Sequence, residues 1–307
     1  MSTVVIKGTE GLGNRLLSLE FALRFAHNRQ YAVEIDWSDP VYMVDKDCFV
    51  KHFELIGIEL GSVDRKNPGI CYPPALAKHL DDDINSWSYR APFLTKIPSS
   101  IALWRKKRSW SESRIVKGSG MRRFFSGEHL HLLQHKYDTY LYACDLPYRE
   151  PERFRHVRLR HTPIVKHLSE LGLQREVDIA VHIRSTDKSG KNVGGLFAAL
   201  HAKRQEFVKA PLLHLATDNQ DVFDLFQQEL GELYSIQSIP LDRANDPIHL
   251  RQLDLQQKRE DFLNALADIF VLSRSNHFFF QENSSFSRVA IAFSHPQCIA
   301  TNWLDIG

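Results

Sequence analysis

No run of apolar residues in this chain approaches the roughly 20 needed to cross a bilayer. The first residues, MSTVVIKGTEGLGNR, lack the basic start, long apolar run and small-residue cleavage site of a secretory signal, so a cytoplasmic location is the expectation. Cysteine is scarce. Cys48, Cys71, Cys144 and Cys298 are scattered with no CxxC pair, which argues against a zinc knuckle or a thioredoxin-type site and for reduced, structural thiols. Neither sign of charge dominates: a net charge of +2 marks neither a nucleic-acid binder nor a partner of strongly acidic surfaces. Internal repeats and long low-complexity tracts are also missing. What remains is an ordinary globular composition, 43% hydrophobic and 25% charged, over 307 residues, enough for two domains.

The first 37 residues read as strand, turn, helix, strand. Val4, Val5 and Ile6 form a β-branched run, and Gly8 to Asn14 interrupts it. Leu16, Leu19, Leu23 and Ala26 recur at helical spacing, then Val33 and Ile35 alternate with polar neighbours up to Asp36-Trp37. That order predicts a βαβ unit on a parallel sheet. From about 40 to 163 the pattern is hard to parse. It holds Asp81-Asp82-Asp83 and the basic run Arg105 to Arg108 between Trp104 and Trp110, either a solvated loop or a grip for an anionic glycan or membrane surface.

Regularity returns near residue 178. Strands are predicted at Ile179–Ile183, Leu212–Ala216, Tyr234–Ile239 and Phe278–Phe280. Helices are predicted through Val222, Phe223, Phe226 and Leu230, through Phe262, Leu266, Ile269 and Phe270, and through Phe286, Val289, Ala290 and Phe293. Two α/β domains follow, 1–170 and 171–307, with ligands expected at the carboxyl ends of strands.

Four segments carry groups suited to an anion or a nucleotide. Gly11, Gly13, Asn14 and Arg15 open the first helix, where glycines admit close approach and free N–H groups face outward; the same glycines serve equally well as a structural turn. The dinucleotide fingerprint fails because Leu16 stands at the third glycine position, although Asp36 lies about twenty residues on, which keeps a Rossmann oxidoreductase as a third, disfavoured reading. His182 and Arg184 alternate onto one side at a strand end, and a guanidinium there can fork onto a phosphate; the alternative is a solvated turn with Arg184 paired to Asp187. Thr186, Lys188 and Gly190 continue that segment. Ser284, Ser285, Phe286 and Arg288 open a helix whose serines either cap it or help hold a diphosphate. Asp218 and Asp268 are carboxylates able to accept two hydrogen bonds from a guanine edge or a ribose, or else are a cap and a surface acid.

Taken in order, EGLGNRLLSLEFALRFAHNRQYAVEIDW, VHIRSTDKSG, LHLATDN and DIFVLSRSNHFFFQENSSFSRVA resemble the α1,6-fucosyltransferase family, which includes the nodulation (NodZ-type) enzymes and the eukaryotic core fucosyltransferases. Residues 40 to 175 carry no such likeness. The resemblance implies a GT-B-like α/β fold, two Rossmann-like domains facing a cleft, with the acceptor on the N-terminal side and a GDP-sugar on the C-terminal side. It implies an inverting, GDP-fucose-dependent transfer to a glycan or glycolipid hydroxyl, with no cofactor, no obligatory metal and no nucleic-acid partner. Arg184 would match the arginine on the donor diphosphate, His182 and Asp218 the nucleotide pocket, Asp268 an acid beside it, and Ser284 or Ser285 the phosphate-side serine. Fixed positive potential from Arg184, Lys188 and the helix at Ser284 would take the place of a metal ion. The sequence also departs from the family: Ser185 replaces a second arginine, and Lys191-Asn192 replaces a glutamate proposed as general base. Asp187 becomes the nearest base candidate, with Glu10, Glu34 and Asp36 as others. Another nucleotide sugar, or a non-catalytic carbohydrate- or nucleotide-binding protein, stays open as an alternative.

Overall fold

The computed structural model describes residues 1–8, 11–37, 48–72, 80–81, 137–143, 153–184, 193–240 and 254–306. The chain divides into two compact units, Met1–Arg158 and Leu159–Gly307, where the sequence pattern suggested a boundary at 170. Among the described residues no helix is long and apolar enough to cross a membrane.

In the first unit β1 (Thr3–Lys7) leads into α1 (Leu12–Arg29) and then β2 (Ala32–Asp36), the βαβ start expected from the apolar spacing. Two short elements follow, α2 (Cys48–His52) and β3 (Phe53–Leu55), then β4 (Cys71–Tyr72) and β5 (Thr139–Ala143). The sheet runs β2-β1-β5-β4, every pair parallel. β6 (Val157–Leu159) pairs with β3, and the unit boundary falls between its last two residues, Arg158 and Leu159. α1 buries Leu16, Leu19, Leu23 and Ala26 as their spacing predicts, and also Leu12, Leu17, Ala22 and Phe25. A helix so widely covered also buries Glu20. Its carboxylate accepts from the backbone N–H of Arg155 (3.0 Å) and His156 (3.1 Å), so it fastens that segment to the helix.

The second unit contains α3 (His161–Glu170), β7 (Ile179–Ile183), α4 (Val193–Arg204), β8 (Leu212–Thr217), α5 (Gln220–Leu230), β9 (Ser235–Gln237), α6 (Leu255–Leu272), β10 (His277–Phe280), α7 (Ser285–Phe293) and β11 (Ile299–Asn302), ending in a 3-10 turn at Trp303–Asp305. The predicted strand at 179–183 holds residue for residue; the one at 234–239 shrinks to three residues. All five strands are parallel, in the order β11-β10-β7-β8-β9. Counted from β7 this is the 3-2-1-4-5 order of a doubly wound Rossmann sheet, whose order reverses between β7 and β10.

Parallel strands covered on both faces read as continuous apolar runs, which is why β7 is buried throughout. Ile179, Val181 and Ile183 pack with Leu196 and Leu200 of α4 and Phe226 and Leu230 of α5. Period-two alternation turns Ala180 and His182 to the opposite face, where α6 and α7 lie. α6 begins with a full capping box: the Asp254 carboxylate accepts from the Gln256 and Gln257 N–H, and the Gln257 side chain accepts from Asp254 N–H.

Candidate functional site

The carboxyl edge of the second sheet, at the reversal between β7 and β10, brings several of the expected residues together. Arg184 follows the last residue of β7, and its backbone N–H donates to Gln281 Oε1 at 2.8 Å, just beyond the end of β10. The Arg184 guanidinium lies 3.9 Å from an Asp218 carboxylate oxygen after β8. Both side chains are partly solvated, at 25% and 17% exposure, so the pair contributes less than about 1 kcal/mol net. An incoming phosphate, able to accept two parallel guanidinium bonds, can therefore outcompete Asp218.

His182, one pleat before Arg184, is buried against α7. Its ring lies 5.1 Å from the Phe286 ring, and its Nδ1 is 2.7 Å from Ser287 Oγ. The Trp303 indole N–H donates to the His182 carbonyl at 3.1 Å. Phe286, expected inward with Val289 and Ala290, is instead half-buried, its ring shared between the helix and His182.

Ser284 stands at the N-cap of α7, but its side chain makes no capping bond. Its Oγ is buried without a hydrogen-bond partner among the described residues, and so is Gln281 Nε2. Ser285 opens the helix itself, and the Arg288 N–H donates to the Ser284 carbonyl at 3.2 Å. No acidic residue occupies the first turn. An uncapped helix start with positive dipole, a buried unpartnered hydroxyl, a buried unpartnered amide and a guanidinium together favour an oxyanion.

Asp268 is elsewhere. Its Oδ1 is 2.8 Å from Nε2 of His214, both side chains buried between α6 and the middle of β8. His214 pairs in register with Ala180 near the start of β7, several residues short of the edge. Asn219, by contrast, performs the capping role open to this segment, accepting from the Val222 N–H at 3.1 Å to start α5. Asp187, Lys188, Thr186, Gly190 and Asn192 lie outside the described residues.

In the first unit Gly11 is the N-cap of α1, with Gly13, Asn14 and Arg15 in the first turn. Arg15 is buried, and its guanidinium fills the space over Gly8: a Cβ there would lie 2.5 Å from Nη1 and 2.9 Å from Trp37 Cδ1. That close approach is the physical need for glycine at position 8. Asp36 accepts from Lys7 Nζ at 2.6 Å and lies 3.8 Å from Arg65, which also pairs with Glu34 and Asp81. A carboxylate so engaged is poorly placed to bind a ribose, which weakens the dinucleotide reading further. Asp82, Asp83 and the Trp104–Trp110 run lie outside the described residues. Burial pushes the Cys71 and Cys298 thiols up from their ordinary value, which favours the thiol over the thiolate. These two are free thiols; Cys144 is outside the described residues.

Sequence reasoning missed Gln281 and the use of Ser287. Gln281 carries a strand-end signal, being the first residue past β10. Ser287 sits inside the serine segment, but only the fold reveals that it faces His182.

Two parallel α/β units, the second with Rossmann strand order and an anion-suited edge at its reversal point, define the GT-B-like class. No family model matches the sequence, and no curated protein matches it. Solved structures do. The fucosyltransferase NodZ from Bradyrhizobium is 19% identical, covers 95% of this chain and 93% of its own, and superposes with a TM-score of 0.57. A NodZ α1,6-fucosyltransferase soaked with GDP-fucose is 20% identical over 95% of this chain and 92% of its own, with a TM-score of 0.58. The same enzyme co-crystallized with GDP is 19% identical with a TM-score of 0.57. At these identities the likeness is one of fold.

Proposed function

We propose that this chain is an inverting fucosyltransferase that moves fucose from GDP-fucose to a glycan hydroxyl. The observation that carries this reading is the edge site. Arg184 follows β7 and is tied to Gln281 shortly before the uncapped start of α7, at the reversal point of a sheet whose fold is shared with an enzyme solved with GDP-fucose and with GDP. The acceptor oxygen attacks the anomeric carbon, its proton passes to a base, and the bond from that carbon to the phosphate oxygen breaks. The bonding electrons leave with GDP. Negative charge then grows on the diphosphate, where Arg184 and the α7 amides act as pre-oriented donors with no solvent reorganisation to undergo. His182, Asp218, Ser284, Ser285, Phe286 and Arg288 belong to the donor side. Asp187 is the proposed base and Lys188 a further cation for the leaving group. The reading includes a cytoplasmic enzyme that needs no metal, with contact to a membrane surface through Trp104–Trp110 as the acceptor-side alternative to a solvated loop.

The test is turnover of GDP-fucose with a chitooligosaccharide or N-glycan acceptor, in EDTA and in Mn²⁺. Arg184→Ala should lower the rate by about 10²–10³, the usual loss for one such donor, and Arg184→Lys should recover little. Near-normal turnover in the alanine variant, or stabilisation by UDP-sugars but not by GDP-fucose in thermal shift, would overturn the donor assignment. Complete loss in EDTA with recovery in Mn²⁺ would overturn metal independence. GDP binding without transfer to any acceptor would favour a binding protein.

A further inference from the structure

We propose that Ser287 and Gln281 are positioning residues of the donor site, with Ser287 fixing His182 as the neutral Nε2–H tautomer and Gln281 tying that contact to the main chain at Arg184. The inference deepens the donor-site reading and rests on it.

Proton accounting carries the assignment. Ser287 Oγ is buried and has two contacts: the Gln281 backbone N–H donates to it at 3.1 Å, and His182 Nδ1 lies 2.7 Å away. A hydroxyl has one proton to give and two lone pairs to offer. The backbone N–H of Gln281 can only donate, so it takes one lone pair. If Nδ1 also donated, the hydroxyl proton would be left buried without an acceptor, a state native structures avoid. The proton therefore goes to Nδ1. An imidazole accepting at Nδ1 carries its own proton at Nε2, because the bond made by one ring nitrogen sets the state of the other. His182 then carries its proton at Nε2, with Nδ1 engaged by the serine, and is not set up to act as the base.

Gln281 continues the chain. Its Oε1 is the atom that meets the Arg184 N–H, which fixes the orientation of the amide and leaves Nε2 as a buried donor with no partner among the described residues. One side chain thus links the end of β10 to the end of β7 across the reversal point, where a crevice for a ligand forms. Its backbone N–H holds the serine that holds His182. Arg184 and His182 are oriented by one connected set of bonds, Arg184 N to Gln281 Oε1, Gln281 N to Ser287 Oγ, Ser287 Oγ to His182 Nδ1.

The experiment pairs a tautomer measurement with GDP affinity. Long-range ¹H–¹⁵N NMR on the full chain, histidine-labelled and without ligand, should show His182 as the Nε2–H form, with the resonance assigned by His182→Gln. Ser287→Ala should shift the population toward Nδ1–H, and Ser287→Thr should retain the wild-type form. Calorimetry should find the Kd for GDP raised about tenfold in Ser287→Ala and in Gln281→Met, the equivalent of about one hydrogen bond, and restored to within about twofold in Ser287→Thr. An Nδ1–H tautomer in the unmodified chain overturns the assignment even if Ser287→Ala does not fold. An unchanged tautomer in Ser287→Ala, or equal GDP affinity in the alanine and threonine variants, overturns it as well. If the tautomer is as stated but the unmodified chain does not bind GDP, the donor-site reading fails and the role in donor positioning falls with it, while the Ser287–His182 proton arrangement stands.

Discussion

Asp268→Ala separates a ligand role from a packing role. The carboxylate accepts from His214 Nε2 at 2.8 Å inside the second unit, where neither side chain reaches water. The other ring nitrogen, Nδ1, lies 3.4 Å from the Gln237 amide nitrogen, which can only donate, so Nδ1 is the acceptor and Nε2 carries the proton toward Asp268. Removing the carboxylate strands that N–H in the interior. A buried unsatisfied donor costs about 1–3 kcal/mol, toward the upper end where the acceptor removed was charged. Taking about 3 kcal/mol, the melting temperature should fall by roughly 6–12 °C for a domain of this size. The Kd for GDP, measured well below the new transition, should change by less than about twofold, because this pair sits beneath the middle of the sheet. Asp268→Asn keeps a carbonyl oxygen in place and should lose less than the alanine variant. The pair His214→Phe with Asp268→Leu should recover part of the loss, since replacing both partners by apolar groups removes the orphaned donor. Thermal denaturation and calorimetric GDP titration on the same preparations decide the matter. A variant that melts like the parent while GDP binding drops tenfold would refute the packing role and return Asp268 to the nucleotide.

Glu20→Ala should destabilise the first unit by about 1–3 kcal/mol in urea unfolding, because it removes the acceptor shared by the part-buried N–H groups of Arg155 and His156; full stability would mean those amides find water instead. His277 is held below its ordinary value of 6.5, first by burial and then by the Lys203 charge. Its unfolded form therefore binds protons more readily, so its share of stability is present above about pH 6.5 and is lost as pH falls through the lower folded value. His277→Gln should flatten the stability curve in that window, and an unaltered curve would count against the shift.

How much could be seen from the sequence depended on the kind of signal each segment carried. β7 was legible to the residue because a strand buried on both faces is an unbroken apolar run, Ile179 to Ile183, and nothing competes with that pattern. α1 and α5 were legible from helical spacing. β11 was not, since Ile299-Ala300-Thr301-Asn302 is an exposed edge strand with little apolar contrast. β3, β4 and β6 are two or three residues long, too short for any periodicity to register. At the site, Arg184 and the serines were visible as strand-end and helix-start residues, and the sheet brings His182, Arg184 and Ser284 to one edge. The Asp268–His214 pairing was not legible for a definable reason. Asp268 is one residue in an amphipathic helix, and sequence spacing does not tell whether a lone acid on such a helix meets a ligand or a buried histidine three elements earlier.

The identity of the base follows the same logic of what each carboxylate already holds. Glu34 accepts from the Val63 N–H at 2.7 Å and pairs with Arg65; Asp36 accepts from Lys7 at 2.6 Å. Protonating either carboxylate would cancel the charge that its ion pairs with Lys7 and Arg65 depend on. Lys7 is only 6% exposed, so water cannot readily replace Asp36. Both are better suited to bracing the first sheet than to proton transfer, which leaves Glu10 and Asp187. Asp187 follows Arg184 by three residues, on the segment that leaves the switch-point edge, and we expect it to serve as the base. Asp187→Asn should then lower turnover by about 10²–10⁴ while the Kd for GDP stays within about twofold, and the acidic limb of the rate profile should disappear. Asp36→Asn should do the reverse, weakening the fold through Lys7 while turnover per folded molecule persists. A joint loss of turnover and GDP affinity in Asp187→Asn would make it an anchor for Arg184 or Lys188. Unchanged turnover would eliminate it and pass the role to Glu10.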